Sequence, residues 1–141
     1  IQLVIIRPPL VYGKDDLSLG YGPTGFTYTA LNSEKIILWG DGSEYREFVY
    51  VDDVGKIVNR LIQNDISGIF NLVSGNSYTF KEIIDSLNII TGSKIKMVSH
   101  QRTKEKVNHR FSNKLIHNVL GDFRFTSLDE GLTKMYRSII N

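Results

Sequence analysis

The sequence holds no cysteine, only three prolines and a single tryptophan in 141 residues. Without cysteine there is no disulfide framework and no Cys-based zinc site, which suits a cytoplasmic protein. No apolar run is long enough to cross a bilayer: Ile1 to Ile6 is too short, and it lacks the basic start and cleavage site of a signal peptide. A formal net charge of +2 is too small to argue for nucleic acid, and no aromatics interleave with the cations as a stacking surface requires. The three histidines lack the i, i+4 spacing of a helical zinc pair, so no metal site is expected. G-x-S-x-G and Walker loops are absent, and Gly20/Gly22 and Gly40/Gly42 lack the strand-to-helix context of a dinucleotide loop, which leaves them as turns. With 41% hydrophobic and 23% charged residues, what remains is an ordinary globular domain rather than a disordered or fibrous chain.

The most informative stretch is WGDGSEYREFVYVDDV, from Trp39 to Val54. Ile36 to Trp39 is apolar and β-rich, Asp41 to Ser43 is turn chemistry, and Arg46 to Val51 alternates at a strand's period of two. That alternation sets Val49 and Val51 on one face and Phe48 and Tyr50 on the other, without saying which is which; the valines are expected toward the core and the aromatics toward a ligand or another lobe. Asp52 and Asp53 read as the cap of a helix carrying Val54, Ile57, Val58, Leu61 and Ile62 at helical spacing. As chain neighbours they cannot face each other across a substrate, so capping rather than acid–base work explains them.

Elsewhere, Ile1 to Ile6 reads as a strand buried on both faces of a parallel sheet, cut at its start. It ends at Arg7-Pro8-Pro9, from which the chain enters a loop through Tyr12 and Gly13. A strand's exit is where open α/β sheets bind ligands. Lys14 to Gly25 is loop, and Phe26 to Asn32 a short helix. Ile69 to Val73 is a further strand, closed by a turn at Ser74 to Asn76. Thr79 with Glu82, and Ser127 with Glu130, are capping boxes that start helices running to Ile90 and Ile140. Ile95 to Val98 is a strand and Ser112 to Leu120 a helix ending at Gly121. The span Lys94 to Lys114 carries seven cations against Glu105 alone, either a solvated face or a phosphate-facing one.

Taken together, WGDGSEYREFVYVDD, RPPLVYG at Arg7 to Gly13, NLVSG at Asn71 to Gly75 and SLDEGL at Ser127 to Leu132 resemble the extended short-chain dehydrogenases. These are the NAD(P)-dependent nucleotide-sugar epimerases, dehydratases and reductases, and the pattern is most like that of the GDP-L-fucose synthases. The resemblance implies an α/β fold made of the last strands of a Rossmann-type parallel sheet and a small mixed α/β substrate-binding domain. It divides the chain between the cofactor sheet (1–13 and 68–75) and the substrate domain (14–67 and 76–141). The family's Gly-rich phosphate loop and Tyr-x-x-x-Lys proton-transfer pair do not occur in the sequence. The chain therefore looks like a C-terminal half, inactive alone, whose partners would be an N-terminal cofactor-binding half, a nucleotide-sugar substrate and, in the complete protein, a second copy in a homodimer.

Site residues follow from the same resemblance. The Arg of the REF motif, Arg46, would grip the nucleotide diphosphate; on residue chemistry alone it could equally pair with Glu44, Asp52 or Asp53. Trp39 matches a tryptophan at the substrate nucleotide, although a lone strand Trp can also be core. Pro8, Pro9, Leu10 and Val11 occupy the segment that lies against the nicotinamide of NAD or NADP, with Leu10 where many members carry Asn. Thr24 and Gly25 fall near a ligand-reaching His or Asn that is absent here. A further basic contact would come from Arg102, Lys106 or Arg110, among which the sequence does not choose. A reading from another class is a non-catalytic descendant that senses sugar nucleotides or binds proteins.

Overall fold

Strand β4 (Tyr45–Tyr50) is the hub, because two other strands pair with different parts of it. A computed structural model describes residues 3–141; Ile1 and Gln2, where the first strand was expected to start, lie outside the described residues. In chain order the elements are β1 (Val4–Arg7), β2 (Leu10–Tyr12), α1 (Pro23–Leu31), β3 (Ile36–Trp39), β4, α2 (Val51–Gln63), β5 (Gly68–Asn71), β6 (Ser77–Thr79), α3 (Phe80–Thr91), β7 (Met97–His100), α4 (Lys114–Leu120) and α5 (Leu128–Ile140). β1 pairs with β5 in parallel, β3 with β7 in parallel, and β4 stands between β2 (parallel) and β6 (antiparallel).

The two faces of β4 look into two cores, as its period of two dictates. Phe48 and Tyr50 join Tyr12, Phe26, Leu38 and Phe80 in the larger one, where α1, α3 and α5 pack together. Val49 points the other way, to Ile57 and Leu61 of α2, Phe70 of β5 and Ile116 and Leu120 of α4. Phe48 and Tyr50 are therefore core residues, at 6% and 5% exposure, and not ligand-facing as expected. Val51 does not share a strand face with Val49. It opens α2 and is exposed, because the chain turns helical after Tyr50.

Several other expectations shift. Asp52 and Asp53 do not cap α2: Tyr50, with extended backbone, is the N-cap, and both aspartates sit in the first turn, where they favour the positive end of the helix dipole. Leu10 to Tyr12 is a strand rather than loop, since Pro8-Pro9 ends β1 but leaves the next three residues free to pair with Phe48 to Tyr50. β6, not anticipated between the Ser74 to Asn76 turn and the Thr79 cap, exists through its ladder to Tyr45, Arg46 and Glu47. β1 is not buried on both faces; Ile5 and its partner Ile69 are each exposed on one side. β7 begins two residues later than expected, and α1 three residues earlier because Pro23 presets the first helical turn. Both capping boxes stand as read, with the side chains of Thr79 and Ser127 accepting from the backbone N–H of Glu82 and Glu130.

Gly25 lies inside α1, where alanine is ordinarily the better helix former by about 1 kcal/mol. Here a Cβ would collide with the carbonyl oxygen of Gly20 and stand 2.7 Å from that of Leu19, so the preceding loop is folded tightly against the helix. Backbone cannot swing away as a side chain can, and packing should outweigh propensity. Gly25→Ala is expected to lower the unfolding free energy by about 1–3 kcal/mol, read from the urea midpoint. A stabilised variant would show that the loop can withdraw from the helix.

Candidate functional site

The parallel strands β3 and β7 both end at one place, at Trp39 and His100, and the turn after Trp39 returns the chain into β4. A cavity of about 610 Å³ opens there. Leu10, Tyr21, Trp39, Phe80 and Val107 give it apolar surface, and Glu44, Arg46, Arg102, Lys104, Glu105 and His109 give it charge and hydrogen-bonding capacity. A cleft outside the carboxyl ends of parallel strands, lined by aromatics and a few convergent polar groups, is the usual form of a ligand site.

Arg46 projects from the start of β4. Its Nη1 donates to the carbonyls of Tyr45, at 2.9 Å, and Val107, its Nη2 lies 3.6 Å from Glu44 Oε2, and its guanidinium sits 5.6 Å from the centre of the Phe80 ring. Of the ion-pair partners weighed for it, Glu44 is the one in reach. The side chain still keeps 17% of its surface open, on the cavity side. Glu44 immediately precedes β4 and lies two residues before Arg46, and its carboxylate meets the Arg46 guanidinium on the cavity side.

Arg102 reaches the same carboxylate from the segment after β7. Its Nη1 donates to Glu44 Oε1 and its Nη2 to the Trp39 carbonyl at 2.9 Å. It lies over Gly40, whose φ of 83° and missing Cβ both matter, because a Cβ there would stand 2.9 Å from Arg102 Nη2. Burial alone would push the Glu44 carboxyl up. The Arg102 hydrogen bond, the Val107 N–H and the nearby charge of Arg46 outweigh it and hold the group below its ordinary value.

The segment 101–111 has no regular structure, yet it is laid along β4 by successive bonds. Tyr45 N donates to Asn108 Oδ1 at 3.0 Å, His109 N to the Tyr45 carbonyl at 2.9 Å and Phe111 N to Glu47 Oε1 at 2.9 Å. These contacts separate the three basic candidates. Arg102 joins Arg46 in the cavity. Lys106 instead donates to Ser43 Oγ at 2.6 Å, and Arg110 stacks 4.3 Å above the Tyr45 ring beside a neighbouring hollow that holds Glu47.

Trp39 is half exposed at the rim, its ring 5.5 Å from that of His100, so it is not a core tryptophan. Its backbone N–H donates to the Tyr21 hydroxyl at 3.2 Å, and Tyr21 packs edge-on to Phe26 and Phe80, which fixes the rim to the larger core. Thr24 is buried in a separate small recess that shares Leu10 and Tyr21 with the main cavity. Leu10 and Val11 are exposed apolar side chains at the edge of the site; Pro8 is exposed and Pro9 half-buried. The sequence reading missed Glu44 as the shared partner of two arginines, and Tyr21 and Phe80 as lining. The i, i+2 spacing of Glu44 and Arg46 was the available signal for the first; the other two depend on contacts between distant elements. Among the described residues, no group of three or more His, Asp or Glu side chains could hold a metal ion, and no helix is long and apolar enough to cross a membrane.

Residues 1–72 match the model of the NAD dependent epimerase/dehydratase family, just over half of the chain. The chain belongs to that family. It is 28% identical over 110 residues to "Probable GDP-L-fucose synthase 1" of Oryza sativa subsp. japonica, a match covering 77% of this chain and 33% of that protein. Its fold superposes, with a TM-score of 0.84, on the crystal structure of UDP-glucose 4-epimerase with UDP-glucose from Thermotoga maritima, at 25% identity over 100% of this chain and 48% of the other. It also superposes on UDP-glucuronic acid 4-epimerase from Bacillus cereus in complex with UDP-glucuronic acid and NAD, with a TM-score of 0.80 at 22% identity, covering 99% and 46%. The fold is thus that of the Rossmann-type extended short-chain dehydrogenases. The chain spans about a third of the length of the curated relative and under half of these solved epimerase/dehydratase folds.

Proposed function

We propose that this chain is the substrate-binding part of an NAD(P)-dependent nucleotide-sugar epimerase, dehydratase or reductase, and that the cavity between Trp39, Arg46 and Arg102 holds the nucleotide diphosphate. The observation that carries the reading is the convergence of two guanidinium groups on one cavity beside an exposed aromatic ring. Planar guanidinium matches phosphate oxygens two at a time, and a flat exposed ring offers a stacking face for a base. Tyr45, Val107 and Glu44 hold Arg46 in place before a ligand arrives, which reduces the ordering cost of binding.

The nicotinamide cofactor, when bound, supplies the hydride chemistry of the family. The exposed apolar side chains of Leu10 and Val11, just beyond β1, fit an aromatic ring face, and with Pro8 and Pro9 they are this chain's contribution to that group. No Tyr-x-x-x-Lys pair occurs in the sequence, so proton transfer is assigned to a segment outside it, and the chain alone is expected to be inactive. The residues 1–13 and 68–75 are assigned to the cofactor sheet and the rest to the substrate domain.

Calorimetric titration of the full-length protein with UDP, GDP and dTDP tests the reading. One base should be preferred, with affinity weakened but still measurable on truncating the ligand to the nucleoside. Absence of heat with all three diphosphates would overturn it.

A further inference from the structure

We infer that Glu44 is a specificity-determining residue: a resident counter-anion that curbs the binding of free nucleoside diphosphates relative to diphosphates esterified at both ends. The inference rests on the reading that this cavity takes a nucleoside diphosphate. Both guanidiniums that face the cavity already share the Glu44 carboxylate, Arg102 by a direct hydrogen bond and Arg46 at 3.6 Å, while Val107 N donates to it at 3.4 Å. The carboxylate belongs to a residue only 6% exposed and is bonded from both sides, so it cannot swing out when a ligand enters. An incoming phosphate must share the arginines with it.

Charge then decides which diphosphate gains. Arg46, Arg102 and Lys104 line the cavity against Glu44 and Glu105, three cations against two carboxylates, which leaves a surplus of one. Lys106 is turned away to the Ser43 hydroxyl and adds nothing there. A sugar-esterified diphosphate carries two negative charges. A free nucleoside diphosphate carries close to three at neutral pH, since a terminal phosphate has its last pKa near 6. Removing the Glu44 charge would strengthen every such ligand, but in proportion to ligand charge, so the free diphosphate should gain more. At an effective dielectric between protein and water, one further unit charge facing the Glu44 carboxylate is worth on the order of fivefold in affinity. With Glu44 present that advantage is withheld, and the contacts made by the sugar can decide binding.

The test is Glu44→Gln, which keeps the shape and one acceptor while removing the charge. Dissociation constants are measured on the full-length protein for UDP against UDP-glucose and for GDP against GDP-L-fucose, at low and high salt. E44Q is expected to bind both members of the recognised pair more tightly, with the free diphosphate gaining about fivefold more than the ester and the difference shrinking in high salt. Equal gains, or none, while the wild type still binds would overturn this inference and leave the functional reading standing. No binding of any of the four by the wild type would overturn both. Should E44Q fail to fold by circular dichroism, Lys104→Gln changes the cavity charge at an exposed position clear of the Glu44 contacts. It should weaken the free diphosphate more than the ester; equal weakening would overturn the inference.

Discussion

Asp53→Ala is expected to lower the unfolding free energy by about 3–5 kcal/mol, more than any single exposed ion pair in the chain could supply. Asp53 lies in the first turn of α2 at 1% exposure, and its carboxylate accepts twice from Thr126, from the backbone N–H at 2.6 Å and the hydroxyl at 2.9 Å. Thr126 immediately precedes Ser127, the capping residue of α5. The pair therefore ties α2, which packs on the smaller core, to the helix that closes the larger one. A hydrogen bond to a charged group contributes about 1.5–3 kcal/mol, and truncation also strands two donors. Lys56, 3.7 Å away with a mostly exposed side chain, adds little. Asp53→Asn should fall between wild type and alanine, since an amide oxygen can serve only one of the two donors well. Urea unfolding of the three proteins reads the series, and a loss below 1 kcal/mol for alanine would show that water replaces the carboxylate.

That contact also shows where the sequence stops being legible. A capping box needs only residues three apart, and both were read at the right positions because their bonds are local. Gly92 likewise ends α3 in the left-handed conformation that glycine tolerates, with φ of 65°. Asp53 finds its partner 73 residues away, and nothing in the local pattern distinguishes it from a cap. β2 and β6 are three residues each and flank β4 on either side, so their β-favouring residues are too few to show a strand's period. In the site, Arg46 and Trp39 stand on regular strands where motif and period agree. The basic candidates sit on a segment without periodicity, and only its bonds to β4 separate Arg102 from Lys106 and Arg110.

Arg46→Lys should weaken the nucleoside diphosphate by roughly ten- to a hundredfold. Lysine keeps the charge but not the two-pronged geometry, and a hydrogen bond between charged groups is worth about 1.5–3 kcal/mol. The structure adds a complication, because Nη1 of Arg46 also holds the Tyr45 and Val107 carbonyls. One ammonium cannot reproduce those bonds and meet a phosphate as well, so a stability loss of about 1 kcal/mol should accompany the change, seen as a melting-temperature drop of a few degrees. Fold and ligand effects are separable by the choice of ligand. If Arg46 meets the phosphates, affinity for the diphosphate falls while that for the bare nucleoside stays at its wild-type value. If Arg46 only anchors the 101–111 segment, both fall together, because Trp39 and Arg102 on the same rim lose their support. Equal dissociation constants for the diphosphate in wild type and variant would leave Arg46 as nothing more than the partner of Glu44.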